Sequence, residues 1–281
     1  MQSKDTKMKF TQTIQTNNYI FKNFFYIFPF ALIPAFCLAL SVASETMSEV
    51  IGAFFTGNLS AWTFSNLFST ISVFNFDSWH TALWGFLGLV VIVPCISLLM
   101  AFLEKHMRIG KRTLNGLLSK LNDNFLSTFM FGTLILFAYE LFALITASTL
   151  YLCAMIPNLV VAYIFIVLSY LSLHVALLYA LGTIYLWLPC MQITGFRALE
   201  ALQHAHQLVQ PTRKGIFLEQ FFFLLIVETL VGLFAVVAPS TMIFTLITTA
   251  CMVFFLLYYF VRMEIVYFER ENLERADLKK Y

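Results

Sequence analysis

Every Lys and Arg of this chain can be placed on one side of a membrane. The seventeen basic residues fall in four groups. Lys4, Lys7, Lys9 and Lys22 come first, then Lys105, Arg108, Lys111, Arg112 and Lys120. Arg197, Arg213 and Lys214 follow, and Arg262, Arg270, Arg275, Lys279 and Lys280 close the chain. Long apolar stretches without a basic residue separate the groups. Moving Lys or Arg across a bilayer during insertion is costly, so short loops rich in them stay in the cytoplasm. Six spans with both termini inside satisfy that rule without exception, whereas dropping one span would push a basic group outside.

Composition agrees with a membrane chain. Sixty per cent of the 281 residues are hydrophobic and 11% are charged, against roughly 25% charged in soluble domains. Mean hydropathy is +0.82. The net charge of +2 hides an asymmetry, because the expected outer loops carry only Glu45, Glu49 and Asp77. The inner segments carry all basic residues and ten acidic ones. Such a face is attracted to anionic lipid head groups, but no basic run is dense enough to expect nucleic acid. The five cysteines are scattered, with no CxxC and no Cys/His cluster. They read as small buried hydrophobes rather than zinc ligands or a disulfide framework.

The expected fold is an all-α membrane protein, one domain over 1–281, with six transmembrane helices arranged as three hairpins. Each helix needs about 20 apolar residues, which places spans near 24–44, 80–103, 125–154, 159–188, 216–238 and 241–261. The first is longer than the 7–15-residue core of a signal peptide, so it reads as a retained helix. Residues 45–79 form the one long outer loop. From Val50 to Phe76 it has no charge, yet it is rich in Phe, Trp, Leu and Ile. It is too polar to span and too apolar for free solution, so it reads as helices in the outer interface or packed over the bundle mouth. Asp77 and His80 read as interfacial polar anchors.

Residues 195–210 read as a cytoplasmic amphipathic helix. Ala198, Leu202, Ala205 and Val209 recur on one face, and Arg197, Glu200, His204 and Gln207 on the other. This helix either rests on the inner leaflet or docks a protein partner. Gln210 to Gly215 reads as its break, because Pro and Gly disfavour helix continuation. The tail after Arg262 reads as a mixed-charge helix with a Glu271–Arg275 pair.

Three titratable side chains sit well inside the spans: Glu140, His174 and Glu228. Intramembrane ionisable groups are rare and usually face the bundle interior, a cavity or a partner. Glu140 and His174 lie seventeen and sixteen residues from the Pro157-Asn158 turn, which puts both roughly 25 Å below it. Glu228 lies about 17 Å from its own outer turn by the same rise. One reading is a cluster that binds a proton or cation; the other is three neutral or hydrogen-bonded groups that help helices pack. No HExxH, GxSxG, P-loop or dinucleotide glycine fingerprint is present. His204 and His206 point in different directions on their helix, so no metal site and no cofactor is expected.

The stretch from Pro189-Cys-Met-Gln-Ile-Thr-Gly-Phe-Arg-Ala-Leu-Glu-Ala-Leu to Leu208-Val209, then Arg213-Lys214-Gly-Ile-Phe217, resembles a set of bacterial polytopic membrane proteins. The set includes the membrane domain attached to some glycerophosphodiester phosphodiesterases. Glu200-Ala201-Leu202 carries the resemblance, which covers about thirty residues and the six-span plan. The phosphodiesterase catalytic domain has no counterpart here, so no catalysis carries over. The resemblance implies a protein of the bacterial cytoplasmic (inner) membrane without an assigned reaction. The expected role is non-enzymatic, in interaction, assembly or membrane homeostasis, with the lipid bilayer and a protein at the cytoplasmic face as partners. The alternatives are a small proton- or cation-coupled transporter or channel built on Glu140, His174 and Glu228, or a lipid-acting enzyme using them as acid and base.

Overall fold

The computed structural model describes residues 2–75 and 78–278, with side chains from residue 12 onward. The side chains of Lys4, Lys7 and Lys9, together with Asp77, Lys279 and Lys280, lie outside the described residues. Ten α-helices occupy that range. They are α1 (Gln2–Ser41), α2 (Ser44–Thr56), α3 (Phe64–Ile71), α4 (Trp79–Ile109), α5 (Leu117–Ala154), α6 (Leu159–Thr183), α7 (Trp187–Thr194), α8 (Ala198–Val209), α9 (Arg213–Val237) and α10 (Thr241–Arg270). Six helical stretches are long and apolar enough to cross a membrane.

Local chemistry marks the helix starts. Ser78 and Thr81 form a capping box at α4, and Asn158 accepts from the Val161 amide at α6. Thr63 and Ser240 cap α3 and α10 in the same way. Each side-chain oxygen satisfies an amide that the first helical turn leaves without a partner. At the other end of α4, Gly110 closes the helix at φ +76° and its amide returns to the His106 carbonyl. A left-handed C-terminal residue favours glycine because no Cβ meets the carbonyl.

The long helices pack in a closed circuit. α1 lies against α4 and α10, α4 against α5, α5 against α6, α6 against α9, and α9 against α10. Burial is uneven around it. Half of the most apolar stretch of α4 is buried (50%), against 11% of the stretch containing α9. The main core therefore sits between α1, α4 and α10, filled by Ile20, Leu99, Phe102, Leu103 and Phe268. A second core joins Val50, Trp62 and Leu67 of the charge-free 50–76 stretch to Leu150 of α5 and Ile166 of α6. The Trp62 indole N–H donates to the Val50 carbonyl at 2.9 Å. Burying one face of α2 and α3 in this way explains why that segment is so apolar without being a span.

The observed helix bounds sharpen four expectations. The first helix is longer than the expected 24–44 span, since α1 is already helical from Gln2. Its early polar residues are buried against other helices: Gln12 donates to Glu269, and the Tyr19 hydroxyl lies 2.7 Å from His106 Nδ1. The fourth span is not one helix through 188. It breaks after Thr183, turns at Ile184–Leu186 and restarts as α7. A continuous helix would drive the Pro189 ring into the carbonyl of Tyr185, whereas a restart puts Pro189 in a first turn that needs no amide. The α7 segment is deeply buried, with Leu186, Leu188 and Cys190 at 0% exposure.

The break expected at Gln210–Gly215 is present: α8 ends at Val209, and a 3₁₀ turn at Gln210–Thr212 leads into α9 at Arg213, with Gly215 inside that next helix. Finally, the tail is no continuous helix: α10 stops at Arg270 and Asn272 adopts φ 54°. Arg275 pairs with Asp277 and donates to Gln15 instead of meeting Glu271. Of the two expected polar anchors, His80 accepts from the Trp84 indole at 3.0 Å, and Asp77 lies outside the described residues.

Close approach of α1 and α4 rests on Gly88. A Cβ there would sit 2.9 Å from Leu38 Cδ2 and 3.3 Å from the Leu38 amide nitrogen. Gly88→Ala is expected to lower stability by about 1–3 kcal/mol through overpacking, read as the thermal unfolding midpoint in detergent. Gly132 has nothing within 4 Å of the same ideal atom. Gly132→Ala is therefore neutral or stabilising in the same assay, because Ala restricts the unfolded helix backbone.

Candidate functional site

His174 lies on α6 one turn after Tyr170, and Glu228 lies across from them on α9. The imidazole is 1% exposed. Its Nε2 is 3.1 Å from each Glu228 oxygen, and its Nδ1 is 2.9 Å from the Tyr170 carbonyl. The Tyr170 hydroxyl donates to Glu228 Oε2 at 2.8 Å. Aromatic rings close the imidazole in, with Tyr170 at 4.2 Å between centroids and Phe142 edge-on at 4.9 Å. Glu228, by contrast, keeps 27% of its side chain exposed.

The geometry dictates where hydrogens sit. A carbonyl only accepts, so His174 Nδ1 carries a proton. Between Nε2 and the carboxylate one more proton is required, on one partner or the other. The seam is therefore either an imidazolium–carboxylate pair or a neutral imidazole accepting from a neutral acid. In both forms it holds one exchangeable proton inside the membrane-spanning region.

Glu140 does not join this pair. Its Oε2 accepts from the Ser72 hydroxyl at 2.7 Å, and its Oε1 from the Val73 and Phe74 amides at 3.0 and 3.4 Å. The neighbouring Tyr139 hydroxyl donates to the Ile71 carbonyl at 2.9 Å. Together they hold the end of α3 and the chain after it against α5. The reason is rotational. Phe142 is the α5 residue that faces His174, and two residues along a helix turn the direction by about 200°. Distance along the chain from a shared turn speaks to height on the helix and is silent about face.

The α8 residues divide similarly. Ala201, Ala205 and Val209 are buried in the main core. On the opposite face Arg197, Glu200 and Gln207 are exposed, and the Arg197 amide donates to Glu200 at 3.3 Å. His204 pairs with Glu271 just past α10 and lies edge-on to Phe196. No group of three metal-ligating side chains occurs among the described residues.

Sequence reasoning missed a second buried ionic site. Arg262 on α10 is 2% exposed and pairs with Glu219 of α9. Its Nη1 also donates to the Tyr258 hydroxyl at 3.1 Å. Glu219 further accepts from Tyr258 and from the Thr13 hydroxyl of α1. Both charged residues read as loop flanks because they sit at the span ends. The Tyr258–Arg262 spacing of four on a helix was the available sign that the arginine is held within the bundle.

Comparison with family models, with curated proteins and with solved structures yields no match for this chain.

Proposed function

We propose that this protein is a non-enzymatic, multi-pass component of a bacterial cytoplasmic membrane that works through interaction or assembly. In this reading both termini and α8 are cytoplasmic, the six spans pair as three hairpins, and the 45–79 segment covers the outer end. One observation carries it. Both carboxylate oxygens of Glu140 and of Glu228 are already engaged in hydrogen bonds with protein groups. Polar groups bonded in this way clamp α5 to the α3 segment and α6 to α9, and leave no open ligand set for a cation. The resemblance of the 189–217 stretch to non-catalytic membrane domains points the same way. The exposed Arg197, Glu200 and Gln207 face of α8 is the surface offered to a protein partner.

Photo-crosslinkers placed at 197, 200 and 207 in intact cells test this reading. It predicts a discrete protein adduct that is lost on deleting the captured partner. Adducts with lipid alone would refute it.

The exchangeable proton between His174 and Glu228 favours a second reading, proton-coupled transport. Proteoliposomes holding a pH gradient separate the two. The clamp reading predicts the same decay for wild type, Glu140→Gln, Glu228→Gln and empty vesicles. Faster decay in wild type, abolished by Glu228→Gln, would establish transport instead.

A further inference from the structure

The α6–α9 seam has a second fastening at its basic end. The Arg213 guanidinium carbon lies 3.8 Å above the Tyr179 ring centroid, and Nη2 is 3.5 Å from the Tyr179 carbonyl. Among the described residues, no ion pair takes up Arg213 or the exposed Lys214 beside it, while Glu104, Asp277, Glu219, Glu228 and Glu271 are all paired elsewhere. Tyr179 itself is 55% exposed. The two helices it joins belong to the least buried apolar stretches of the molecule, at 17% and 11%. Exposed Val175 precedes Tyr179 by one turn, and Leu218 and Phe222 follow Arg213 along α9. A cation without an acidic partner, laid on an exposed aromatic ring at the end of two lipid-facing helices, fits a phosphate attached to an acyl chain. Arg suits this position because its planar fork can stack on a ring and still present N–H donors to phosphate oxygens.

We propose that Arg213, Lys214 and Tyr179 form a binding site for one anionic phospholipid, with its phosphate at the two cations and its chains along the exposed apolar faces of α6 and α9. Two adjacent cations favour a head group of net negative charge over a zwitterionic one.

The test is native mass spectrometry of the full chain in micelles with graded phosphatidylglycerol or phosphatidylcholine. Wild type is expected to retain phosphatidylglycerol in preference to phosphatidylcholine. Arg213→Ala should weaken phosphatidylglycerol retention roughly fivefold, the loss of one basic residue at an anionic surface, and leave phosphatidylcholine retention unchanged. Equal phosphatidylglycerol retention by wild type and variant overturns the proposal. Should Arg213→Ala fail to accumulate, Tyr179→Leu carries the test, since it keeps both charges and removes the platform. Undiminished retention by Tyr179→Leu would overturn the stacked site. Inorganic phosphate at millimolar concentration is expected not to displace the lipid. Full displacement would assign the site to free phosphate and overturn the lipid reading.

Discussion

Glu219→Ala is expected to destabilise the protein by about 3–5 kcal/mol, the usual loss when one partner of a buried ion pair is removed. The guanidinium of Arg262 is the reason. At 2% exposure it has no route to water, and Glu219 is its charged partner. Removing that carboxylate leaves a buried cation with the Tyr258 hydroxyl at 3.1 Å, and it breaks the 2.9 Å bond from the Thr13 hydroxyl. Three helices are tied at this point, since Thr13 belongs to α1, Glu219 to α9 and Arg262 to α10. Glu219→Gln should cost less, because the amide oxygen still accepts while the charge is gone. Unfolding midpoints of detergent-solubilised protein, followed by loss of the monodisperse fraction on heating, measure both. Wild-type stability of Glu219→Ala would show that the pair holds nothing together.

The second large effect belongs to the intramembrane pair. Glu228→Leu leaves His174 Nε2 and the Tyr170 hydroxyl without their partner in a site where His174 is 1% exposed. An unsatisfied buried polar group costs about 1–3 kcal/mol. Restoring an apolar match by adding His174→Leu should recover part of that loss, since removing both partners is far milder than removing one. The coupling from the full cycle is expected at about 0.6 kcal/mol, the average for hydrogen bonds between membrane helices, and no more than about 1.7 kcal/mol. Strictly additive losses would mean that the two side chains do not interact. The cycle also bears on the clamp reading of function, because a clamp must show up as stability.

Much of the architecture is legible in the residues. Run length and hydropathy identify six stretches long and apolar enough to cross a membrane, where each must satisfy its own backbone over a fixed thickness. Caps such as Ser78, Asn158 and Ser240 are equally readable, since they act within one turn. The break after Thr183 was half legible. Pro189 disfavours a continuous helix, and the complete burial of Tyr185, Leu186 and Leu188 accompanies the turn that replaces it. The early start of α1 was hidden for the opposite reason. Gln12, Thr16 and Asn23 look like an aqueous segment until another helix covers them.

The site shows the same division. The scarcity of ionisable groups within apolar runs singled out Glu140, His174 and Glu228, and spacing from the turns set their heights. Which of them meet depended on helix rotation and on a segment more than sixty residues away in sequence, neither of which height can reveal. Residue order alone yields the number of long apolar helices and the short list of polar residues that membrane burial makes unusual. Both follow from the cost of placing polar groups in hydrocarbon, which acts residue by residue. The pairing of His174 with Glu228, the hold of Glu140 on the 72–74 segment and the burial of Arg262 with Glu219 came from the packed fold. Each of those is a contact between helices, and its energy exists only once both faces are turned toward each other.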